Sequence, residues 1–181
     1  LAGNFTMSGG VLRLSEGSGI GTMNVSGDFS HTSGTITETS TGSGAIKFAK
    51  VGTQIFTGGG TVQNSINFTV NSGSTLQMGT GILTGGGTFT LASGGTLGIG
   101  SAAGITTTGA TGNIQVTGTR SYNTGADYIY NGTAAQVAGN GLPATIRNFT
   151  LDNSLGLTLP SALTVSGSLL LSQGTLSIGN L

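Results

Sequence analysis

The chain has 181 residues, of which only 6% are charged, and five cations balance five anions to give a formal net charge of zero. So few charges, spread along the chain, exclude the cationic stripe of a nucleic-acid-binding surface, and no apolar run reaches the roughly 20 residues of a membrane-spanning helix. The 36 glycines have no three-residue period, which excludes collagen, and abundant Val, Ile and Thr favour β-structure over disorder.

A short period opens the chain, because three residues near its start recur 24 positions later with the same or a similar side chain. The recurring pairs are Phe5 and Phe29, Gly10 and Gly34, and Leu12 and Ile36. A period of about 20 to 24 residues is typical of one coil of a solenoid, in which each coil packs on the next.

An Asn-Phe-Thr tripeptide marks a second repeat. It begins at Asn4-Phe5, at Asn67-Phe68 and at Asn148-Phe149, and we interpret these residues as repeat-defining structural positions. We expect their asparagine side chains to lie at turns and to bond with backbone groups.

The second repeat is long. Ile46-Lys47-Phe48 matches Tyr128-Ile129-Tyr130 at a shift of 82, and Gln54 matches Gln136 at the same shift. Repeats of this kind indicate a stack of similar supersecondary units.

The matches divide one solenoid segment into three units. We predict a partial unit over 1–44, a full unit over 45–126 and an incomplete unit over 127–181, with an irregular stretch at 102–123. Neither end of the sequence has the atypical repeat that caps a solenoid, so we expect the segment to continue in a longer chain or to stack on another subunit.

Short pieces with alternating apolar and polar residues predict strands, and glycine-rich pieces predict the turns between them. The strands are predicted at Thr88–Leu91, Thr96–Ile99, Leu157–Leu159, Leu163–Val165 and Leu176–Ile178. The turns are predicted at Ser8-Gly9-Gly10, Gly58-Gly59-Gly60, Gly85-Gly86-Gly87 and Asn140-Gly141.

Short strands and brief turns are compatible with a sandwich, a barrel or a solenoid, and the internal repetition favours the solenoid. The sequence therefore predicts an all-β fold, a right-handed parallel β-helix of eight or nine coils. Stacked coils place equivalent side chains roughly 4.8 Å apart, which explains the scarcity of charge. The predicted core comprises Phe5, Met7, Phe48, Ile55, Phe68, Val70, Leu76, Leu83, Phe89, Leu91, Leu97, Ile99, Tyr130, Phe149, Leu151, Leu163, Val165, Leu169, Leu171 and Leu176.

Three stretches carry a resemblance to a known group of proteins: residues 122–133, residues 135–143 and residues 148–153. They resemble repeats in very large secreted surface proteins of Bacteroidota, which include adhesins of gliding motility, and more loosely the β-helices of filamentous haemagglutinins. The clear resemblance covers residues 118–181. It implies export to the bacterial cell surface and an elongated shape, and it specifies no ligand.

We expect a structural or adhesive role, as a stiff extracellular rod or fibre at the bacterial cell surface. Its partners would be neighbouring solenoid segments or copies of itself, with surface glycans as a further possibility; no nucleic acid and no membrane insertion are expected. Alternatives are a self-assembling filament subunit, a polysaccharide-active enzyme, and an ice-binding solenoid built on Thr-x-Thr pairs such as Thr35/Thr37 and Thr88/Thr90.

The sequence predicts no catalytic residue, no cofactor and no metal ligand. Its acidic residues are sparse, and only Asp28 and Glu38 are spaced so that coiling could bring them together for catalysis. A lone His31 without a second histidine or a cysteine is interpreted as a surface or strand residue. Tyr122 and Tyr128 are the candidate glycan contacts, since aromatic rings can stack on sugars.

Overall fold

A computed structural model describes residues 1–39 and 41–179, so the three sequence units are covered except for Ser40, Asn180 and Leu181. The described chain is all-β, and its parallel strands stack as a β-solenoid of about eight turns. The predicted fold class is therefore confirmed. No described segment is a helix long and apolar enough to cross a membrane.

The largest sheet runs the whole length of the described solenoid, one strand per coil. Its order is β1-β3-β5-β8-β10-β12-β15-β18, with β6 also paired to β3. The strands are β1 (Phe5–Arg13), β3 (Phe29–Thr37), β5 (Gly52–Thr57), β6 (Thr61–Val62), β8 (Ser74–Gln77), β10 (Thr96–Ile99), β12 (Asp127–Tyr130), β15 (Asn148–Asp152) and β18 (Leu169–Gln173).

Three smaller sheets form the other faces. The five-stranded sheet has the order β2-β4-β7-β9-β11, a three-stranded sheet has β13-β16-β19, and a two-stranded sheet has β14-β17. These strands are β2 (Ile20–Val25), β4 (Ser43–Phe48), β7 (Ile66–Val70), β9 (Phe89–Leu91), β11 (Arg120–Tyr122), β13 (Gln136–Val137), β14 (Thr145–Ile146), β16 (Leu157–Thr158), β17 (Thr164–Val165) and β19 (Leu176–Ser177).

The 24-residue period is one coil. Phe5 pairs with Phe29 and Leu12 pairs with Ile36 across β1 and β3, as the recurrence predicts. Gly10 and Gly34 both have positive φ, 74° and 84°, where the register of these two strands shifts. Glycine adopts this conformation at little cost, so Ser8-Gly9-Gly10 makes a bulge inside β1 instead of the predicted turn between strands.

Residues that match in the long repeat lie in different sheets of the solenoid. Phe48 lies on β4 in the five-stranded sheet, whereas its match Tyr130 lies on β12 in the largest sheet. Local contacts are nevertheless kept. The Nε2 of Gln54 donates to two carbonyls of the preceding coil, those of Val25 and Gly27, and the Nε2 of Gln136 donates to those of Ile99 and Ser101.

The core is a narrow apolar column along the axis. Aromatic rings stack through it from coil to coil, with centroids 5.5 Å apart for Phe29 and Phe56 and 6.3 Å apart for Phe48 and Phe68. Tyr130 and Phe149 continue the stacking at 5.5 Å. Tyr130 is fully buried, which confirms its predicted place in the core.

Three predicted core residues are wrong. Ile55 is 48% exposed because Gln54 takes the inward position beside it, in register with Leu76. An amide fits there because the Gln54 side chain bonds to backbone carbonyls. Leu169 and Leu171 point along the core column but are each 51% exposed, because no described coil covers them.

Candidate functional site

Asparagine and aspartate side chains clamp successive coils together. The Oδ1 of Asn4 accepts the backbone N–H of Asp28 at 2.8 Å, that of Asn67 accepts Thr88 at 2.9 Å, and that of Asn148 accepts Ser168 at 2.8 Å. All three repeat-defining asparagines therefore bond to the backbone of the next coil, which confirms the predicted backbone bonding. The predicted location at turns is wrong for Asn67 and Asn148, which lie in strands β7 and β15. Each bond joins a side chain of one coil to the main chain of the next, and together these bonds stiffen the stack.

The acidic pair considered for catalysis does not form. Asp28 precedes β3 and Glu38 follows it, so the two carboxylates lie at opposite ends of a strand of nine residues. Asp28 instead pairs with Lys50 at 2.7 Å and accepts the N–H of Ile55, and these bonds lower the pKa of its carboxyl. The Oε1 of Glu38 accepts the N–H of Ser65 at 3.1 Å. Within residues 1–39 and 41–179, no three metal-ligating side chains cluster.

The tyrosines predicted as a glycan platform do not present a sugar-stacking surface. Tyr128 is fully buried, and its hydroxyl donates to the carbonyl of Asn123 at 2.8 Å. Tyr122 is half-buried, donates to Thr106 at 3.2 Å and packs against Phe89. Burial raises the pKa of both phenols. The alternation that exposes Ser121 and leaves Ile129 half-buried turns these rings inward.

The threonine pairs considered for ice binding do not share one face. Thr35 and Thr37 lie on β3 in the largest sheet, and Thr37 is buried. Thr90 lies on β9 in the five-stranded sheet. The pairs therefore form no single flat array.

His31 is a buried strand residue, so its placement on the surface is wrong and its placement in a strand is right. It is 3% exposed on β3, and its Nε2 lies 3.1 Å from the carbonyl oxygen of Gly34. Gly60 packs directly against the imidazole, where a Cβ would collide with the ring. Burial lowers the pKa of His31 below its usual 6.5, so the ring is neutral at neutral pH.

We expect acidification to destabilise the solenoid through His31. Because the folded pKa lies below 6.5, unfolded chains bind the proton more readily, so this contribution to stability is full above pH 6.5 and declines as the pH falls below it. Urea unfolding at pH 7.5 and 5.0 measures the decline. Asp28 does not contribute in this window, since its pKa is lowered from 3.8. An equal decline in H31Q would contradict the role of His31.

A long loop, residues 100–119, lies between β10 and β11 and lengthens one coil to 31 residues, from Leu97 to its partner Tyr128. The loop is irregular, as predicted for 102–123 except at Arg120–Tyr122, which form β11, but it is packed. Ile105, Ile114 and Val116 are each at most 1% exposed. These core residues are hard to predict from the sequence, because isolated apolar residues in a Gly- and Thr-rich stretch do not show the two-residue alternation of a strand.

Two buried polar side chains hold this loop. Asn113 is 1% exposed; its Oδ1 accepts the N–H groups of Gly100 and Ser101, and its Nδ2 donates to the carbonyls of Gly79 and Gly81.

Arg120 occupies the inward position in register with Phe89, and its guanidinium reaches into the loop. It donates to the carbonyl of Val116 at 3.0 Å and to the hydroxyl of Thr106 at 2.7 Å. Burial lowers the pKa of this guanidinium. Carbonyls of the loop therefore accept the hydrogen bonds of the Arg120 guanidinium in place of a carboxylate, and these bonds fix the loop against β11.

The loop forms one wall of a surface groove, which we name the Thr80 groove. Three adjoining hollows of about 490, 340 and 480 Å³ make it up, and Thr80 lines all three. Ile82 and Gln115 join the second hollow to the third. Each volume is within the roughly 300–1,000 Å³ of small-molecule sites, and every described residue that lines the groove is uncharged.

An amide pair forms the other end of the groove. The Nδ2 of Asn131 donates to the Oε1 of Gln77 at 2.9 Å, passing over Gly98 on the strand between them. A Cβ on Gly98 would collide with the Gln77 amide, so glycine leaves room for this bond. The Oδ1 of Asn131 is buried and has no hydrogen-bond partner among the described residues.

Comparisons with known proteins add no relative: no family model, no curated protein and no solved structure matches the chain. The fold and the groove therefore rest on the chain's own sequence and geometry.

Proposed function

We propose that the chain is a stiff rod segment of an extracellular bacterial surface protein, with a structural or adhesive role. The observation that supports this most directly is the largest sheet, which runs without interruption from β1 to β18. Each coil of such a stack contacts only its neighbours, so length is added without a new core.

The contacts between coils suit a load-bearing rod. Backbone ladders join every pair of neighbouring strands in the largest sheet, and the asparagine clamps add side-chain bonds along the same axis. Sequence resemblance to Bacteroidota surface adhesins supports the cell-surface location. The proposal assigns the chain a mechanical role and no catalytic step.

Another coil is the partner that we propose for the last described coils. Leu169, Leu171 and the half-buried Leu176 form an apolar surface on the last described coils. A coil of the same chain would cover them in a surface rod, whereas a coil of a second copy would cover them in a self-assembling filament. The exposed leucines are the observation that keeps the filament as a second candidate.

Antibody labelling of cells that make this protein tests the proposal. We expect an antibody raised against the 181-residue chain to label intact cells, with gold particles at a fixed place on single cell-anchored rods in electron micrographs. Particles repeating along a polymer of one short subunit would establish the filament instead. Labelling only after permeabilisation would contradict both candidates.

A further inference from the structure

We propose that the Thr80 groove is a binding site for an uncharged oligosaccharide. This inference goes beyond the rod role and does not rest on it. It stands on the shape, chemistry and rigidity of the groove.

The lining chemistry matches a neutral, hydroxyl-rich chain. The polar side chains that line the groove all carry hydroxyls or amides, and Thr80, Thr133, Gln77, Gln115 and Asn131 are among them. Hydroxyls and amides both donate and accept hydrogen bonds, as sugar hydroxyls do. An acidic polymer would find no cation among the described lining residues to offset the loss of its hydration.

Two exposed isoleucines supply apolar surface in the groove: Ile55, which is 48% exposed in the first hollow, and Ile82. Ile82 is 47% exposed at the junction of the hollows, beside Thr80. A sugar ring has a face of C–H groups, and packing that face on Ile82 removes apolar surface from water. Gly58 and Gly100 also line the groove, and a Cβ there would collide with the backbone of Ile82 or Gly79, so these glycines let the chain pack closely around the groove.

The groove is formed before a ligand arrives. Asn113 joins Gly79 and Gly81 of the floor to Gly100 and Ser101 of the wall through four hydrogen bonds. A rigid site loses little conformational entropy on binding.

An unpaired acceptor lies at one end of the groove. The buried Oδ1 of Asn131 lacks a partner, and a buried polar atom without a hydrogen bond is costly. A ligand hydroxyl could donate to it only after the Asn131 amide rotates, which exchanges the bond to Gln77 for a bond to the ligand. This contact distinguishes a hydroxylated ligand from an apolar one.

Saturation-transfer NMR with the 181-residue chain tests the proposal, using cellohexaose and chitohexaose as neutral probes. Oligogalacturonate serves as the acidic comparison, and a neutral extended decapeptide as the peptide comparison. We expect transfer to at least one neutral oligosaccharide and none to the other two. No transfer to a neutral oligosaccharide, or transfer only to the acidic or peptide probe, would overturn the proposal.

Thr80→Arg places a long side chain where the three hollows meet, and we expect it to weaken binding roughly tenfold or more. Thr124→Arg is the matched control, because Thr124 is also exposed but lies outside the groove. Ile82→Ser removes the apolar contact without adding bulk and should weaken binding as well. Thermal unfolding of each variant checks the fold. Unchanged affinity in both groove variants would place the ligand elsewhere and sink the assignment.

Discussion

Replacing Phe48 by alanine is expected to destabilise the solenoid by about 3–5 kcal/mol. Phe48 is fully buried on β4, and its ring packs against Phe29 at 5.5 Å, Phe56 at 6.2 Å and Phe68 at 6.3 Å. Removal of the ring leaves a cavity shared by several coils, which a column of stacked side chains cannot close without shifting its strands. Urea unfolding at pH 7.5 measures the loss.

Phe5→Ala is the matched control for this prediction. Phe5 is half-buried in the first coil and stacks on a single ring, that of Phe29 at 4.8 Å. We expect it to cost less than half as much as Phe48→Ala. Hydrogen exchange should show the Phe48→Ala damage concentrated in the coils around β4, with β15 still protected, because solenoid stability is a sum over neighbouring coils. Equal costs for the two variants would refute the stacked-column account.

Replacing Asn113 by alanine is expected to cost about 3 kcal/mol and to loosen the long loop. The substitution removes four hydrogen bonds at once and leaves two N–H groups and two carbonyls of glycine-rich backbone without their partner. Alanine fills less of the site and offers no replacement bond. Urea unfolding gives the energy, and amide exchange of Gly100 and Ser101 reports the loop itself.

Asn140→Ala is the matched control for Asn113. Asn140 contacts the same loop but is exposed, and its Oδ1 accepts one hydrogen bond, from the N–H of Thr107 at 3.1 Å. We expect a cost well below that of Asn113→Ala. If the two variants lose equal stability, burial and the number of bonds at Asn113 do not control the loop.

The coil repeat could be predicted from the sequence because the stacking of coils requires similar residues at equivalent positions. Phe5 and Phe29 recur because parallel coils bring equivalent residues into register, and a core column needs an apolar residue in each. Alternation predicted β10 with its bounds and placed β9, β16, β17 and β19 within a residue or two. The backbone bonds of the asparagines were predictable too, since short asparagine side chains readily bond to nearby backbone groups.

Other positions were not readable because their neighbours lie a coil away. Gln54 and Ile55 show this: the local pattern favours the isoleucine as the inward residue, yet two carbonyls of the preceding coil accept hydrogen bonds from the Nε2 of Gln54, and the glutamine takes the inward position. Tyr128 differs, because it lies two residues before Tyr130 in the same strand, and alternation places both side chains on the core face.

The sequence by itself therefore determined the fold class, the coil length, the asparagine positions and the absence of a repeating charge pattern, because these depend on periodicity along the chain. Only the tertiary structure decided the Thr80 groove. Its residues come from four stretches, around 55–60, 77–84, 100–115 and 131–134, that approach one another when the long loop is pinned by Asn113. No local pattern encodes that approach, since hydrogen bonds between distant coils fix it.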